Sequence, residues 1–176
     1  MGAILRYADE VTKAMAMLAR DERTLFVGQA VRFDGQRLHA TLRDVPMDRR
    51  IEMPVCEDFQ MGFCTGLSLE GYIPVSIYPR WDFLILAANQ LVNHLDKIPL
   101  LGNFRPKVIV RTAVGSKTPL NPGPQHIQDH SEAFSSMLQS IPVLQIYSAE
   151  DVLETYETAL NIPGSCVVVE YMDQYK

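Results

Sequence analysis

Met53 to Gly71 reads MPVCEDFQMGFCTGLSLEG. A short extended run, Ile51 to Cys56, meets an acid, Glu57. The segment that follows sets Gly62 and Gly66 four apart, with Phe59, Phe63 and Leu67 at the same spacing. This spacing predicts a strand-end acid leading into a helix with a small-residue stripe. Glycine inside a helix costs ~1 kcal/mol against alanine, so two of them imply close backbone approach to something. In open α/β sheets ligands sit at the carboxyl ends of strands, beside helix N-termini. Glu57 is therefore the first residue to question.

The flanking sequence alternates strand and helix patterns. Upstream, Leu5 to Arg20 carries Leu5, Ala8, Val11, Ala14, Met15 and Leu18 on one face of an amphipathic helix. TLFVGQAV, residues 24–31, is an apolar run suited to a strand buried on both faces. Phe33 to Arg50 is polar and predicts a long surface loop, and loops of that length are usually functional or mobile. Downstream, Ile73 to Tyr78, Lys107 to Thr112, Val143 to Tyr147 and Cys166 to Tyr171 read as strands. Helices are expected from just after Phe83 to about Lys97, over Ser131 to Leu138, and over Glu150 to Asn161 with Ser148 as cap. Ala113 to Gln128, with Gly115, Pro119, Pro122, Gly123 and Pro124, is a loop. The alternation predicts one α/β domain over residues 1–176: a three-layer sandwich, with a mostly parallel sheet and helices on both faces.

Composition narrows the function classes. A formal charge of −5 and the lack of a Lys/Arg block argue against a nucleic-acid surface. No run approaches the ~20 apolar residues of a membrane helix. The N-terminus carries acids where a signal peptide needs an apolar core, so a cytoplasmic location is expected. Cys56, Cys64 and Cys166 form no Cys-x-x-Cys pair, and reduced thiols are the expectation.

Motifs for phosphate are missing. There is no Gly-x-Gly-x-x-Gly, and Gly115-Ser-Lys-Thr118 lacks the upstream glycine of a P-loop. No Gly-Asp-Gly with a distant Asn is present to hold a magnesium diphosphate. His126 and His130 are four apart, a spacing that suits two metal ligands on a helix, but Pro122 and Pro124 make the segment a loop. Loop histidines suit acid–base work or phosphate contact; solvated polar residues are the plain alternative. Trp81 and Phe83 follow a strand end, and either caps the core or offers a flat surface to a ring. Glu57 alone could be a helix-capping carboxylate. Gly-x-Ser-x-Gly is absent, against an α/β-hydrolase.

Four stretches in order carry a family resemblance: MPVCEDFQMGFCTGLSLEG, SIYPRWDFLILAANQLVNHLDK, VIVRTAVG and GPQHIQDHSEAF. Together they resemble the pyrimidine-binding domain of thiamine-diphosphate enzymes, as in 2-oxoacid dehydrogenase beta subunits and transketolase. The resemblance covers nearly the whole chain. It implies that Glu57 matches the glutamate that hydrogen-bonds a ring nitrogen of the cofactor's aminopyrimidine and favours its imino tautomer. It implies that Phe83 stacks on the pyrimidine with Trp81 nearby, that His126 lies near the substrate or acyl acceptor, and that Gln128 matches the family glutamine. Ile127 replaces the usual Ser, and the segment from His126 to Glu132 is one residue longer than the family form, so His130 is the alternative match. Asp58-Phe59 also departs from the family pair after the glutamate.

The resemblance further implies thiamine diphosphate as cofactor, with Mg2+ held by a separate diphosphate-binding, alpha-type subunit. The expected assembly is a homodimer within a heterotetramer, and the substrate a 2-oxo acid or a ketose. No counterpart of the family's second α/β domain is recognisable, so the chain is expected to be catalytically incomplete alone. The alternatives are an inactive scaffold or dimerisation module of the same fold, and a flavodoxin-like nucleotide-binding domain.

Overall fold

The computed structural model describes residues 6–118 and 121–175. Leu5 of the first helical stripe and Pro119 of the long loop lie outside the described residues.

Six strands form one sheet: β1 (Thr24–Gly28), β2 (Arg50–Glu52), β3 (Ile73–Ile77), β4 (Ile109–Val114), β5 (Val143–Ile146) and β6 (Cys166–Tyr171). Their order is β2-β1-β3-β4-β6-β5, and every neighbouring pair is parallel. The fold is thus α/β with a fully parallel sheet. The central strands read as apolar runs because both faces are covered. One face packs on α1 (Tyr7–Leu18) and α6 (Val152–Asn161), through Val11, Met15, Phe26, Val75, Ile109, Tyr156 and Val168. The other packs on α2 (Glu57–Leu69), α3 (Trp81–Leu84) with its continuation to Leu95, and α5 (Ser131–Met137), through Val27, Met61, Trp81, Leu91, Val110, Phe134 and Val169. A short α4 (Ile98–Leu101) precedes β4.

Two charge clusters built on buried groups, Arg111–Glu170 and Asp96, fasten the layers. Arg111 of β4 donates to Glu170 of β6 at 2.9 and 3.0 Å, and the hydroxyls of Tyr156 and Tyr175 also donate to Glu170. Asp96 accepts from the backbone N–H groups of Gln139, Ser140 and Ile141 at 2.8 to 3.1 Å, and Lys97 pairs with it at 2.7 Å. Buried charges persist only when paired and hydrogen-bonded like this.

Several boundaries differ from expectation for identifiable reasons. β1 ends at Gly28, not Val31, because Glu52 takes the N–H groups of Ala30, Val31 and Arg32 at 2.5, 2.9 and 3.0 Å. Those amides are then lost to a ladder. Phe33 to Arg50 is not a plain surface loop: it contains two 3-10 turns, Arg37–Leu42 and Met47–Arg49, and buries Leu38, Leu42 and Val45. Its return is held by Arg50, which donates to the carbonyls of Val31, Leu42 and Val45. Ser148 is not a backbone cap. Its hydroxyl donates to the Asp151 carboxylate at 2.7 Å, and the helix begins at Val152. The helix after β3 starts at Trp81 itself, tightens to 3-10 over Ile85–Ala87 and widens to π over Gln90–Leu95.

The glycine stripe does not mark a close backbone approach within this chain. A Cβ on Gly62 would meet Gln90 at an ordinary 3.6 Å, and one on Gly66 would meet nothing within 4 Å. The tight glycine is Gly28, where a Cβ would lie 2.7 Å from the Ile77 carbonyl oxygen.

Candidate functional site

β1 leaves the sheet toward β2, whereas β3, its other neighbour, leads on to β4. The chain thus departs in opposite directions from two adjacent carboxyl ends, and a crevice opens between them. A cavity of about 410 Å3 occupies that crevice. Its walls come from the segments after β1 (Gln29, Gln36, Arg37), after β3 (Arg80, Phe83) and after β4 (Ser116).

Glu57 is the first residue of α2 and is 7% exposed. A helix N-terminus favours a carboxylate there. Gln29 Nε2 donates to Glu57 Oε1 at 3.2 Å, and among the described residues Glu57 has no ion-pair partner. So the carboxyl is neither locked in a salt link nor open to bulk water. Two buried groups fix the turn that carries it. Tyr78 donates its hydroxyl to the Glu57 carbonyl at 3.2 Å. Gln60, wholly buried, donates to Ser76 Oγ at 3.2 Å and to the Ile77 carbonyl at 3.1 Å, with a longer contact to the Val27 carbonyl at 3.4 Å. Gln60 therefore spans the carboxyl ends of β1 and β3 and holds α2 across the crevice.

Phe83 and His126 come together. Phe83 lines the cavity, and the His126 ring meets it edge-on with centroids 5.6 Å apart at 79°. The His126 segment is strapped down by Arg80, whose Nη1 donates to the carbonyls of Gly115 and His126, both at 2.6 Å. Gln29 links this wall to Glu57, since it lines the cavity and bonds the carboxyl.

Trp81 is a correction. It is wholly buried, donates Nε1–H to Ser131 Oγ at 3.2 Å, and packs on Phe134 at 4.7 Å between ring centroids. It has no face to offer a ligand and is a core residue. His130 meets Trp81 edge-on at 6.5 Å, and its Nε2 is buried with no hydrogen-bond partner among the described residues. Gln128 is exposed and donates to Asp82 Oδ1 at 2.9 Å. Among the described residues no group of three or more His, Cys, Asp or Glu side chains could hold a metal ion, and no helix is long and apolar enough to cross a membrane.

Sequence reasoning missed Gln29, Gln60, Glu52 and Arg80. Gln29 was findable, since it directly follows the apolar run that ends at a strand's carboxyl end. Gln60 was not, because a polar residue one turn into a helix gives no hint that it faces a sheet.

No family model matches the chain. Pyruvate dehydrogenase E1 component subunit beta of Cyanidium caldarium is 28% identical over 155 residues, 84% of this chain and 42% of that protein. The mitochondrial E1 beta subunit of Saccharomyces cerevisiae is 27% identical over 168 residues, 92% of this chain and 45% of its own length. The chloroplastic beta-3 subunit of Arabidopsis thaliana is 30% identical over 132 residues, 72% and 31% respectively. The chain is similar to pyruvate dehydrogenase E1 beta subunits. It spans under half the length of these curated relatives. The fold agrees: a solved split-gene transketolase, an inactive beta4 tetramer, superposes with a TM-score of 0.69 at 16% identity, over 95% of this chain and 50% of that one. The chain therefore has the pyrimidine-domain type of fold that its motifs resemble.

Proposed function

We propose that this chain is the pyrimidine-binding subunit of a two-chain thiamine-diphosphate-dependent enzyme acting on a 2-oxo acid or a ketose. The observation that carries the reading is Glu57: a buried carboxyl without an ion-pair partner among the described residues, steadied by the neutral amide of Gln29, which itself lines the switch-point crevice. The residues fit the group. Glu57 would hold a ring nitrogen of the aminopyrimidine, and Phe83 would supply the apolar wall beside it. When bound, the cofactor supplies the carbanion chemistry; the protein orients it and tunes its tautomer. Gln29 and Gln60 keep the Glu57 carboxyl in place. His126, edge-on to Phe83, is the better-placed of the two loop histidines for a proton at the substrate. Gln128, at the exposed rim, would contribute through Asp82.

The cofactor's charged tail needs a partner. No Gly-rich phosphate loop is present here, so an alpha-type subunit would bring the diphosphate site and Mg2+, in a heterotetramer built on a homodimer of this chain. The solved beta4 tetramer of the split transketolase is described as inactive, which accords with a beta-type chain needing its partner. We place the assembly in the cytoplasm, in keeping with three free cysteines. The test is reconstitution: co-purify the partner, add thiamine diphosphate and Mg2+, and assay 2-oxo acids and ketoses. Turnover that requires both chains and Glu57 supports the reading; cofactor binding without any turnover moves the chain to the scaffold class.

A further inference from the structure

The sheet ends on β5, whose strand partner among the described residues is β6 alone. Val167 N–H donates to the Pro142 carbonyl at 2.9 Å, which sets the alternation along the edge. Pro142, Leu144 and Ile146 turn their backbone groups toward β6, and Val143 and Gln145 turn theirs outward. Among the described residues nothing takes those outward amides and carbonyls. A groove of about 540 Å3 lies beside them between β5 and α6, lined by Val143, Gln145, Tyr147, Asp151, Glu154 and Thr158.

This edge is acidic and unneutralised. From Thr118 to Tyr175 the sequence has no Lys or Arg, although acids recur throughout. Asp151 and Glu154 line the groove, and Glu150 and Glu157 are exposed on the same segment. Among the described residues none of the four is in an ion pair, and Asp151 accepts only from the Ser148 hydroxyl. Such a field attracts cationic partners.

At the carboxyl end of β5, Tyr147 is 59% exposed and stacks on Tyr171, with ring centroids 5.1 Å apart at 21°. Both hydroxyls donate to Gln145 Oε1, at 2.9 and 2.6 Å, which fixes the pair and leaves Tyr147 an outer face for a cation. A bare strand edge is a template for another strand. A second copy of this chain is the wrong occupant, because it would bring its own acids to the same place. A basic strand meets opposite charge there. We infer that β5 takes up an extended, Lys/Arg-rich segment of a partner protein as an added strand, its backbone paired with Val143 and Gln145 and its cations set against Asp151, Glu154 and Tyr147. The edge is separated from the β1–β3 crevice by β4 and β6, so the inference does not depend on the reading of Glu57.

The test titrates the purified chain by amide NMR with three short synthetic peptides. One alternates Lys and Val, one alternates Glu and Val, and one alternates Lys and Pro, which keeps the charge but lacks half the amide donors. The Lys–Val peptide should bind roughly tenfold or more tightly than either control, and more weakly as ionic strength rises. The amides of Val143 and Gln145 should exchange quickly in the free chain and become protected in the complex. The double variant Asp151→Asn, Glu154→Gln should lose roughly tenfold in affinity with its thermal midpoint unchanged. Failure of the Lys–Val peptide to bind, equal binding of either control, protection of amides elsewhere than β5, or full affinity in the double variant would each overturn the inference. So would a dimer of the chain in which Val143 and Gln145 are protected before any peptide is added, since the edge would then belong to a second copy.

Discussion

Gln29 Nε2 lies 3.2 Å from Glu57 Oε1, bridging the end of one strand to the start of a helix 28 residues away. A neutral donor steadies the carboxyl without the full compensation a cation would give. In the proposed reading this carboxyl is the group that would hold the cofactor's ring. Glu57→Gln should lower turnover of the reconstituted pair by ~100-fold or more, the usual scale for losing an acid–base group. Thermal unfolding of the chain should be nearly unchanged. Wild-type rates in that variant would remove Glu57 from the chemistry.

Gln29→Leu should act on the same step more weakly. Losing one hydrogen bond to a carboxylate is worth ~1.5–3 kcal/mol, or roughly tenfold to a hundredfold in rate if it is felt in full. The loss should appear in turnover rather than in substrate KM. A rise in KM alone would show that Gln29 binds substrate instead of positioning Glu57.

Trp81, the one tryptophan, should report folding and not ligand. It is wholly buried with its N–H bonded to Ser131. Its emission should shift to the red on denaturation and stay fixed when cofactor joins the assembled pair. Trp81→Phe should destabilise by ~1–3 kcal/mol in urea melts, from lost packing and the lost indole hydrogen bond to Ser131, whose hydroxyl keeps its bond to Asp129. Strong quenching by cofactor would contradict the buried placement.

Asp96 should set the acid limb of stability. Burial opposes its charge, but the Lys97 ammonium and the amides of Ser140 and Gln139 prevail and hold its carboxyl below the usual Asp range. A depressed folded pKa means the stability it supplies is complete above the unfolded value. That stability drains as pH falls through the folded one. Wild type should therefore lose stability more steeply than Asp96→Asn below about pH 4. At neutral pH the variant should already be weaker by ~1–3 kcal/mol, read from urea midpoints. Parallel acid limbs would show that other carboxyls dominate.

Thiol labelling should separate the three cysteines. Burial pushes Cys64 and Cys166 up to about 12, while Cys56 is exposed one residue before Glu57. An alkylating reagent at pH 8 should modify Cys56 alone until the chain unfolds. The adduct should also slow the reconstituted enzyme. Rapid labelling of all three would mean the sheet opens readily.

The sheet and the acid at its edge were legible because their signals are local. TLFVG, IPVSI and CVVVEY are dense in apolar residues, as strands buried on both faces must be. Phe83 and His126 were found through resemblance, and the fold does bring their rings together. Trp81 was misplaced because the same helix turn points one residue at the cavity and another at the core. Only the packing of Phe134 and Ser131, fifty residues on, shows which is which. Gln60 and Arg80 were invisible for a similar reason. Apart from the Ser76 hydroxyl on Gln60, their partners are backbone carbonyls, and a carbonyl has no signature in sequence.

The three-residue strand β2 works at both its ends. Arg50 gathers the carbonyls of Val31, Leu42 and Val45, and Glu52 gathers the amides of residues 30–32. The excursion out from β1 is thus stapled where it departs and where it returns, while the span from Phe33 to Gln36 carries no such clamp from β2. Insertions or deletions among descendants of this gene should accumulate in that span. Arg50 and Glu52 should change only together with the backbone they hold, so a redesigned specificity could be grafted between the staples without disturbing the scaffold.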